Sequence, residues 1–179
     1  ESERLWGWAN ELKLPRIVYL TRMDREEGTL PAALDEMSKV LETKFVAIQM
    51  PIGAQANFRG VIDLITMRAL LFQGESGAVR EDDVPMEMQA EADDYREKLV
   101  EAVAEMDDDL LARYLEGGEI TAAELKTALR HGVVTGRLYP VLCGAGLRGL
   151  GTQPLLDAIV DYLPSPADRP AVTGTHPKT

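Results

Sequence analysis

Residue types that do chemistry are sparse in this 179-residue chain. Histidine occurs twice, at His131 and His176, and cysteine once, at Cys143. That is too few N and S donors for a zinc site, so no metal ligand is assigned. His131 falls near the end of a helical pattern, where a cation suits the helix dipole; the alternative is a general base. Cys143 closes an apolar run and reads as a small buried hydrophobe, with a reactive thiol as the alternative. Carboxylates abound between residues 81 and 109. They have few basic neighbours to drive their pKa values apart, as paired-carboxylate catalysis requires. No residue of the chain is assigned a catalytic role.

Two short stretches offer more. The apolar run Ile17 to Leu20 leads into Thr21-Arg22-Met23-Asp24, which sets a carboxylate at the C-terminal edge of a strand. In an open α/β sheet, ligands gather at that edge; the alternative is that Asp24 merely caps a loop. The second stretch, Gly144 to Gly151, follows a strand-like run and holds four glycines in eight positions. Backbone N–H groups in such a loop attract anions. It lacks G-x-x-x-x-G-K-[ST], and the G-x-G-x-x-G at Gly144, Gly146 and Gly149 has no acidic residue closing a strand about 20 residues on, so a dinucleotide fingerprint is not supported. Turns needing positive φ account for these glycines more simply. If the two strands pair in parallel, both loops share one edge.

The elements that must position these loops follow from periodicity. Leu5, Trp6, Ala9 and Leu12 predict a helix over 3–12, and Ile17 to Leu20 a strand. Thr29 caps a helix with Pro31 in its first turn and Leu34, Met37 and Leu41 on one face. Phe45 to Met50, Val61 to Ile65 and Ala69 to Phe72, with a turn at Gly74 to Gly77, predict antiparallel hairpins. From Met86 the period becomes 3.6, with an apolar stripe including Ala92, Leu99 and Val103 opposite an acidic one. Leu110, Leu111 and Tyr114 form a short helix ended by Gly117-Gly118, and Thr121 to Glu124 is a capping box. Leu138 to Cys143 is a strand. The helix after the glycine-rich loop is expected to be capped by Thr152 and to turn Leu155, Leu156, Ile159 and Leu163 inward, ending at Pro164.

Charge is unevenly placed. Lys and Arg number 19 against 30 Asp and Glu, a net of −11, which argues against nucleic-acid binding by the chain as a whole. Residues 75–119 alone hold 16 acids and 4 bases, so the rest of the chain is nearly balanced. Such a block is either a solvated face or a surface for a basic partner. No apolar run approaches the ~20 residues of a bilayer span. The single cysteine excludes an internal disulfide and fits a reducing, cytoplasmic setting.

These stretches together resemble translation elongation factor G, a multidomain translational GTPase. LPRIVYLTRMDRE is similar to the segment carrying its guanine-recognition N-K-x-D motif. FVAIQMPIGAQANFRGVIDLITMRALLF and YREKLVEAVAEMDDDLLARYLEGGEIT are similar to the inserted G′ subdomain. LYPVLCGAGLRGLGTQPLLDAIVDYLPSP resembles the last guanine motif and final helix of the GTPase domain. The resemblance implies an α/β fold: the C-terminal portion of a P-loop-type GTPase sheet with an inserted α+β G′ subdomain. It implies G-domain segments at 1–44 and 138–164, the G′ insertion at 45–137, and a linker at 165–179.

Its implied guanine-binding residues are Thr21, Arg22, Asp24, Ala145, Gly146 and Leu147, with Asp24 on the base, the Arg22 stem over it and the Ala145 N–H on guanine O6. Thr21-Arg22 stands where the family has Asn-Lys, and Ala145-Gly146-Leu147 where it has Ser-Ala-Phe, which points to a paralogue. The family's P-loop, switch regions and catalytic histidine precede the matched stretch. The chain is thus expected to be part of a longer GTPase, inactive alone, with Mg²⁺ and the phosphates of GTP or GDP held elsewhere. The implied partners are the ribosome and its stalk protein, docked on Glu87, Glu91, Asp94, Glu101 and Glu105, with no DNA and no membrane. The first strand, left as an edge, is expected to promote self-association. Two other readings stay open: a ribosome- or stalk-binding module without catalysis, and a degenerate GTPase homologue with relaxed nucleotide specificity.

Overall fold

The computed structural model describes residues 1–25, 29–73 and 78–168. The expected turn at Gly74 to Gly77, His176 and most of the proline-rich tail lie outside them. The chain runs α1 (Ser2–Glu11), β1 (Val18–Leu20), α2 (Leu30–Leu41), β2 (Phe45–Ala47), β3 (Gln49–Ile52), β4 (Gly60–Asp63), β5 (Arg68–Gln73) and β6 (Ala78–Asp83). It continues through α3 (Gln89–Ala104), α4 (Asp108–Leu115), α5 (Ala122–Val134), β7 (Tyr139–Cys143) and α6 (Thr152–Tyr162).

β1, β7 and β2 form a parallel sheet in the order β1-β7-β2, and β3 to β6 form an antiparallel sheet in chain order. The expected strand over Phe45 to Met50 is in fact two. Ile48 is the switch: its N–H donates to Val141 O in the first sheet, and its carbonyl accepts from Leu64 N–H beside the second. Past that point β2 no longer flanks β7, and the buried Gln49 side chain supplies the acceptor for the Cys143 N–H at 3.4 Å. Buried polar groups need such partners, which explains a glutamine in an otherwise apolar core.

Helix starts follow local chemistry. Thr29 Oγ1 accepts from Ala32 N–H at 3.4 Å, with proline in the first turn of α2. Thr121 and Glu124 cap α5 reciprocally. Hydrogen bonds from Thr121, then the Arg113 guanidinium, hold the Glu124 carboxyl down at about 2. Two expected boundaries move. Met86–Met88 is a 3-10 turn after Pro85, so α3 begins only at Gln89. Gly151, at φ 84°, is the N-cap of α6, and Thr152 is its first residue with no side-chain cap.

The inward face of α6 also differs from expectation. Leu163 packs against the core as expected, but the buried residues are Pro154, Ala158 and Tyr162, whereas Leu156, Ile159 and Val160 are exposed, Val160 by 77%. Periodicity fixes the spacing of a stripe but not which of two apolar stripes meets the core. On α3 the expected stripe holds: Ala92, Leu99, Ala102 and Val103 are buried. No helix among the described residues is long and apolar enough to cross a membrane.

Arg96 joins α3 to the antiparallel sheet. Its guanidinium donates to the carbonyls of Leu64 and Ile65 in the turn between β4 and β5. Burial lowers its pKa, while nearby Asp63 raises it. Bonds to a charged donor contribute about 1.5–3 kcal/mol each, and truncation leaves two carbonyls short of a partner. Arg96→Ala is expected to lower unfolding stability by about 2–4 kcal/mol, read as an earlier urea midpoint. A midpoint equal to wild type would remove Arg96 as the tie.

Candidate functional site

The parallel register sets Leu20 opposite Cys143, so the loops after β1 and β7 leave the sheet side by side. Backbone hydrogen bonds then lock them together. Gly144 N–H donates to Leu20 O at 2.9 Å, and Met23 N–H returns to Gly144 O at 3.1 Å. Met23 O in turn accepts from Gln55 N–H at 3.2 Å, which braces the loop against the antiparallel sheet. Arg22 adopts the left-handed conformation at φ 67°, and Arg25 N–H closes the turn on Arg22 O at 2.9 Å.

The glycine-rich loop is closed by an antiparallel bridge. Ala145 N–H donates to Leu150 O at 2.9 Å, and Leu150 N–H to Ala145 O at 3.2 Å. Gly149 and Gly151, at φ 68° and 84°, make the turns. Tyr19 reaches across from β1, and its hydroxyl donates to the same Leu150 carbonyl at 3.2 Å. A Cβ on Gly144 would lie 2.0 Å from that hydroxyl and 2.6 Å from Leu150 O, so packing alone demands glycine there. Burial raises the Tyr19 pKa, with the neighbouring Cys143 adding to it.

Most of the expected residues converge on this edge. Thr21, Arg22, Gly146 and Leu147 are exposed, Leu147 by 90%, and Asp24 is half-buried. The Asp24 side chain has no hydrogen bond or ion pair with any described residue. Thr21 Oγ1 faces Gly146 N–H across 3.5 Å, at the limit of a hydrogen bond, and bridges the two loops.

Ala145 departs from its expected part. It is buried, and its N–H is engaged by Leu150, which leaves Gly146 N–H, long-bonded to Thr21 Oγ1, as a donor on the exposed part of the loop. Two supporting residues escaped sequence reasoning. Tyr19 had a visible signal, an aromatic strand residue opposite a glycine run. Gln55 had none, since its backbone N–H carries the contact.

The acidic residues of the α3 region are all exposed, but only partly alike. Glu91, Asp94 and Glu101 lie on α3, Glu87 precedes it, and Glu105 is its C-cap. Glu105 pairs with Lys44 at 3.2 Å, whereas the other four have no ion pair among the described residues. A cavity of about 410 Å³ between Met23, Leu30, Met50, Gln55 and Tyr95 lies behind the loop after β1. Neither it nor a cleft of about 530 Å³ between the antiparallel sheet and α6 includes Asp24 or Gly146. The shared loop edge is open surface.

Mixed α/β architecture, a parallel sheet with helices packed on it and two tied loops at one carboxyl edge define a GTPase-domain-like fold. The chain belongs to the family of elongation factor Tu GTP-binding domains, whose description matches residues 1–165. It is similar to a protein of known crystal structure from Thermus thermophilus, at 35% identity and a TM-score of 0.81. The likeness covers 93% of this chain and 24% of that protein, so the chain spans about a quarter of that relative's length.

Cys143, at the base of the paired loops, is buried, and burial pushes its thiol up to about 12 from 9. The thiol is neutral in the folded state at pH 8, so iodoacetamide is expected to label it only after unfolding. The stability sign follows. The unfolded thiol ionises first, so its contribution is whole below pH 9 and declines as pH rises from about 9 towards 12. Cys143→Ala is expected to flatten the alkaline fall in the urea midpoint. Rapid labelling of the native protein at pH 8 would contradict this placement.

Proposed function

We propose that this chain supplies guanine-base recognition for a translational GTPase of the elongation factor G type that works on the ribosome. The observation that carries the reading is Asp24: a half-buried carboxylate without a partner among the described residues, on the edge where the two loops meet. A carboxylate accepts from guanine N1–H and N2–H₂, donors that adenine does not present together. In this reading Gly146 N–H donates to guanine O6, since its 3.5 Å contact with Thr21 is long enough to be displaced. The Arg22 stem and the exposed Leu147 side chain supply cover for the two ring faces.

Hydrolysis needs amides that cradle phosphates, a lysine and ligands for Mg²⁺. The proposal gives this chain the base and leaves phosphate and Mg²⁺ chemistry to a larger protein, in the cytosol where elongation factors act. Asp24→Asn in the full-length protein is expected to weaken GTP at least tenfold relative to xanthosine triphosphate, whose ring offers an acceptor instead. Tenfold corresponds to about 1.4 kcal/mol, within what one charged hydrogen-bonding group contributes. Unchanged preference in a competition assay would overturn the assignment.

The α3 region supports a second part of the proposal, a G′ subdomain that docks the ribosomal stalk. Four exposed carboxylates, Glu87, Glu91, Asp94 and Glu101, stand without ion pairs among the described residues. On α3, Glu101 stands at i,i+4 from Glu97, and such like-charge pairs cost a few tenths of a kcal/mol, so isolation gives the face no stability. Complementary charge on a basic partner speeds encounter and makes association salt-sensitive. Glu91→Lys, Asp94→Lys and Glu101→Lys together are expected to slow ribosome-stimulated turnover several-fold at low salt, with GTP affinity unchanged. Wild-type turnover in that triple variant would reduce the face to solvated surface.

A further inference from the structure

A cavity of about 430 Å³ opens beside the glycine-rich loop, lined by Asn57, Phe58, Arg59, Phe72, Arg148 and Leu150 among others. Its walls come from two bodies. Asn57 to Arg59 lead into β4 and Phe72 lies in β5, whereas Arg148 ends the 3-10 turn Gly146–Arg148 after β7. Phe72 N–H donates to Arg59 O at 2.9 Å, which fixes the aromatic and the basic residue next to each other. The Phe58 ring, only 2% exposed, backs the half-buried Phe72 ring at 5.8 Å between centroids.

The charge on this wall runs against the rest of the molecule. Acids outnumber bases 30 to 19 in the chain, yet no acidic side chain lines the cavity. Elsewhere Arg68, Arg113, Lys126 and Arg130 each pair with a carboxylate. Arg59 and Arg148 are exposed, and neither side chain has a hydrogen bond or ion pair with a described residue. Two unneutralised guanidinium groups on one cavity attract an anion, and their planar forks suit phosphate oxygens.

We propose that Arg59, Arg148 and Phe72 form a binding site for a single RNA strand. A phosphodiester lies against the two guanidinium groups, a base stacks on Phe72, and the Asn57 amide meets the base edge. A free phosphate would use only the arginines and leave most of the cavity and its aromatic wall without a partner. Basic groups interleaved with an aromatic face are how proteins hold single strands without strict sequence preference. The overall charge of −11 does not forbid this. Screening limits each charge to a range of about 8–10 Å, so a local wall sets the local sign. The site does not depend on the guanine reading of the neighbouring edge.

The test is fluorescence anisotropy of a labelled 12-nucleotide oligouridine with the 179-residue protein, as a function of salt. Two phosphate contacts give a slope of log K against log salt near about −1.4. Arg59→Ala with Arg148→Ala is expected to weaken binding at least tenfold and to flatten that slope. Phe72→Leu is expected to weaken it about threefold with the slope kept. Arg137→Ala, an exposed arginine outside the cavity, is expected to stay within twofold of wild type. All three altered arginines are exposed and unpaired among the described residues, so circular dichroism should show unchanged folding. Absence of binding at low salt, equal binding by the double variant, or equal loss in Arg137→Ala would overturn the site. Displacement of the RNA by pyrophosphate at equal phosphate concentration would overturn the RNA assignment in favour of a small anion.

Discussion

The register of one parallel strand pair decides where everything else can stand. Val18, Tyr19 and Leu20 run alongside Val141, Leu142 and Cys143. Because the pair is parallel, both strands release their loops at the same end, although they lie far apart in sequence. A parallel pair needs a crossover connection. Here that crossover contains a helix, the strand β2 of the same sheet, a second sheet and three more helices before β7 returns in the right direction. A slip of one residue would turn Leu142 and Tyr19 to opposite faces and break the Gly144–Leu20 and Met23–Gly144 bonds together. Base recognition by Asp24 and Gly146, as proposed, depends on that single alignment.

The glycine-rich loop shows how a pattern that looks like an anion cradle arises from packing. Gly149 and Gly151 satisfy positive φ, and Gly144 makes room for the Tyr19 hydroxyl. Gly146 is different. A Cβ there would meet only Thr21 Oγ1, at an ordinary 3.5 Å. Its side chain is absent for no internal reason, and its N–H meets Thr21 Oγ1 at the exposed edge where the two loops face each other. The loop therefore separates glycines that backbone geometry or packing requires from one that neither requires, a distinction invisible to a spacing rule.

The same contrast explains how far the sequence could be read. Strand runs, the Thr29 cap and the Thr121–Glu124 box depend on neighbours in sequence, and they were legible. The break between β2 and β3 was not, because a strand that changes sheets keeps one continuous apolar run through Ile48. Pro140 argues against a central strand on sequence alone. It is tolerated because Pro140 precedes the first residue of β7 that pairs with β1, Val141. The buried face of α6 was misread since both of its stripes are apolar, and only the fold selects Ala158 and Tyr162. At the site, Asp24 was legible as a carboxylate at a strand end. The engagement of the Ala145 N–H was not, since it depends on how the loop closes on Leu150.

Placement of charge gives the chain a polarity that its net value hides. The α3 region carries exposed carboxylates with few bases, while the cavity beside the glycine-rich loop carries Arg59 and Arg148 with no acid. At physiological salt each patch acts on what lies within about 8 Å, so the two do not cancel. A partner assembly that presents both basic protein and RNA could meet both patches at once, and each contact would restrict the orientation allowed to the other. The antiparallel sheet links them mechanically. The segment leading into β4 and Phe72 of β5 border the basic cavity, and Arg96 of α3 is bonded to the turn between those two strands. Gln55, in the loop just before Asn57, is bonded to Met23 in the loop that carries Asp24. The proposed base site thus sits at one end of a continuous, hydrogen-bonded frame whose other surfaces face outward with opposite charge.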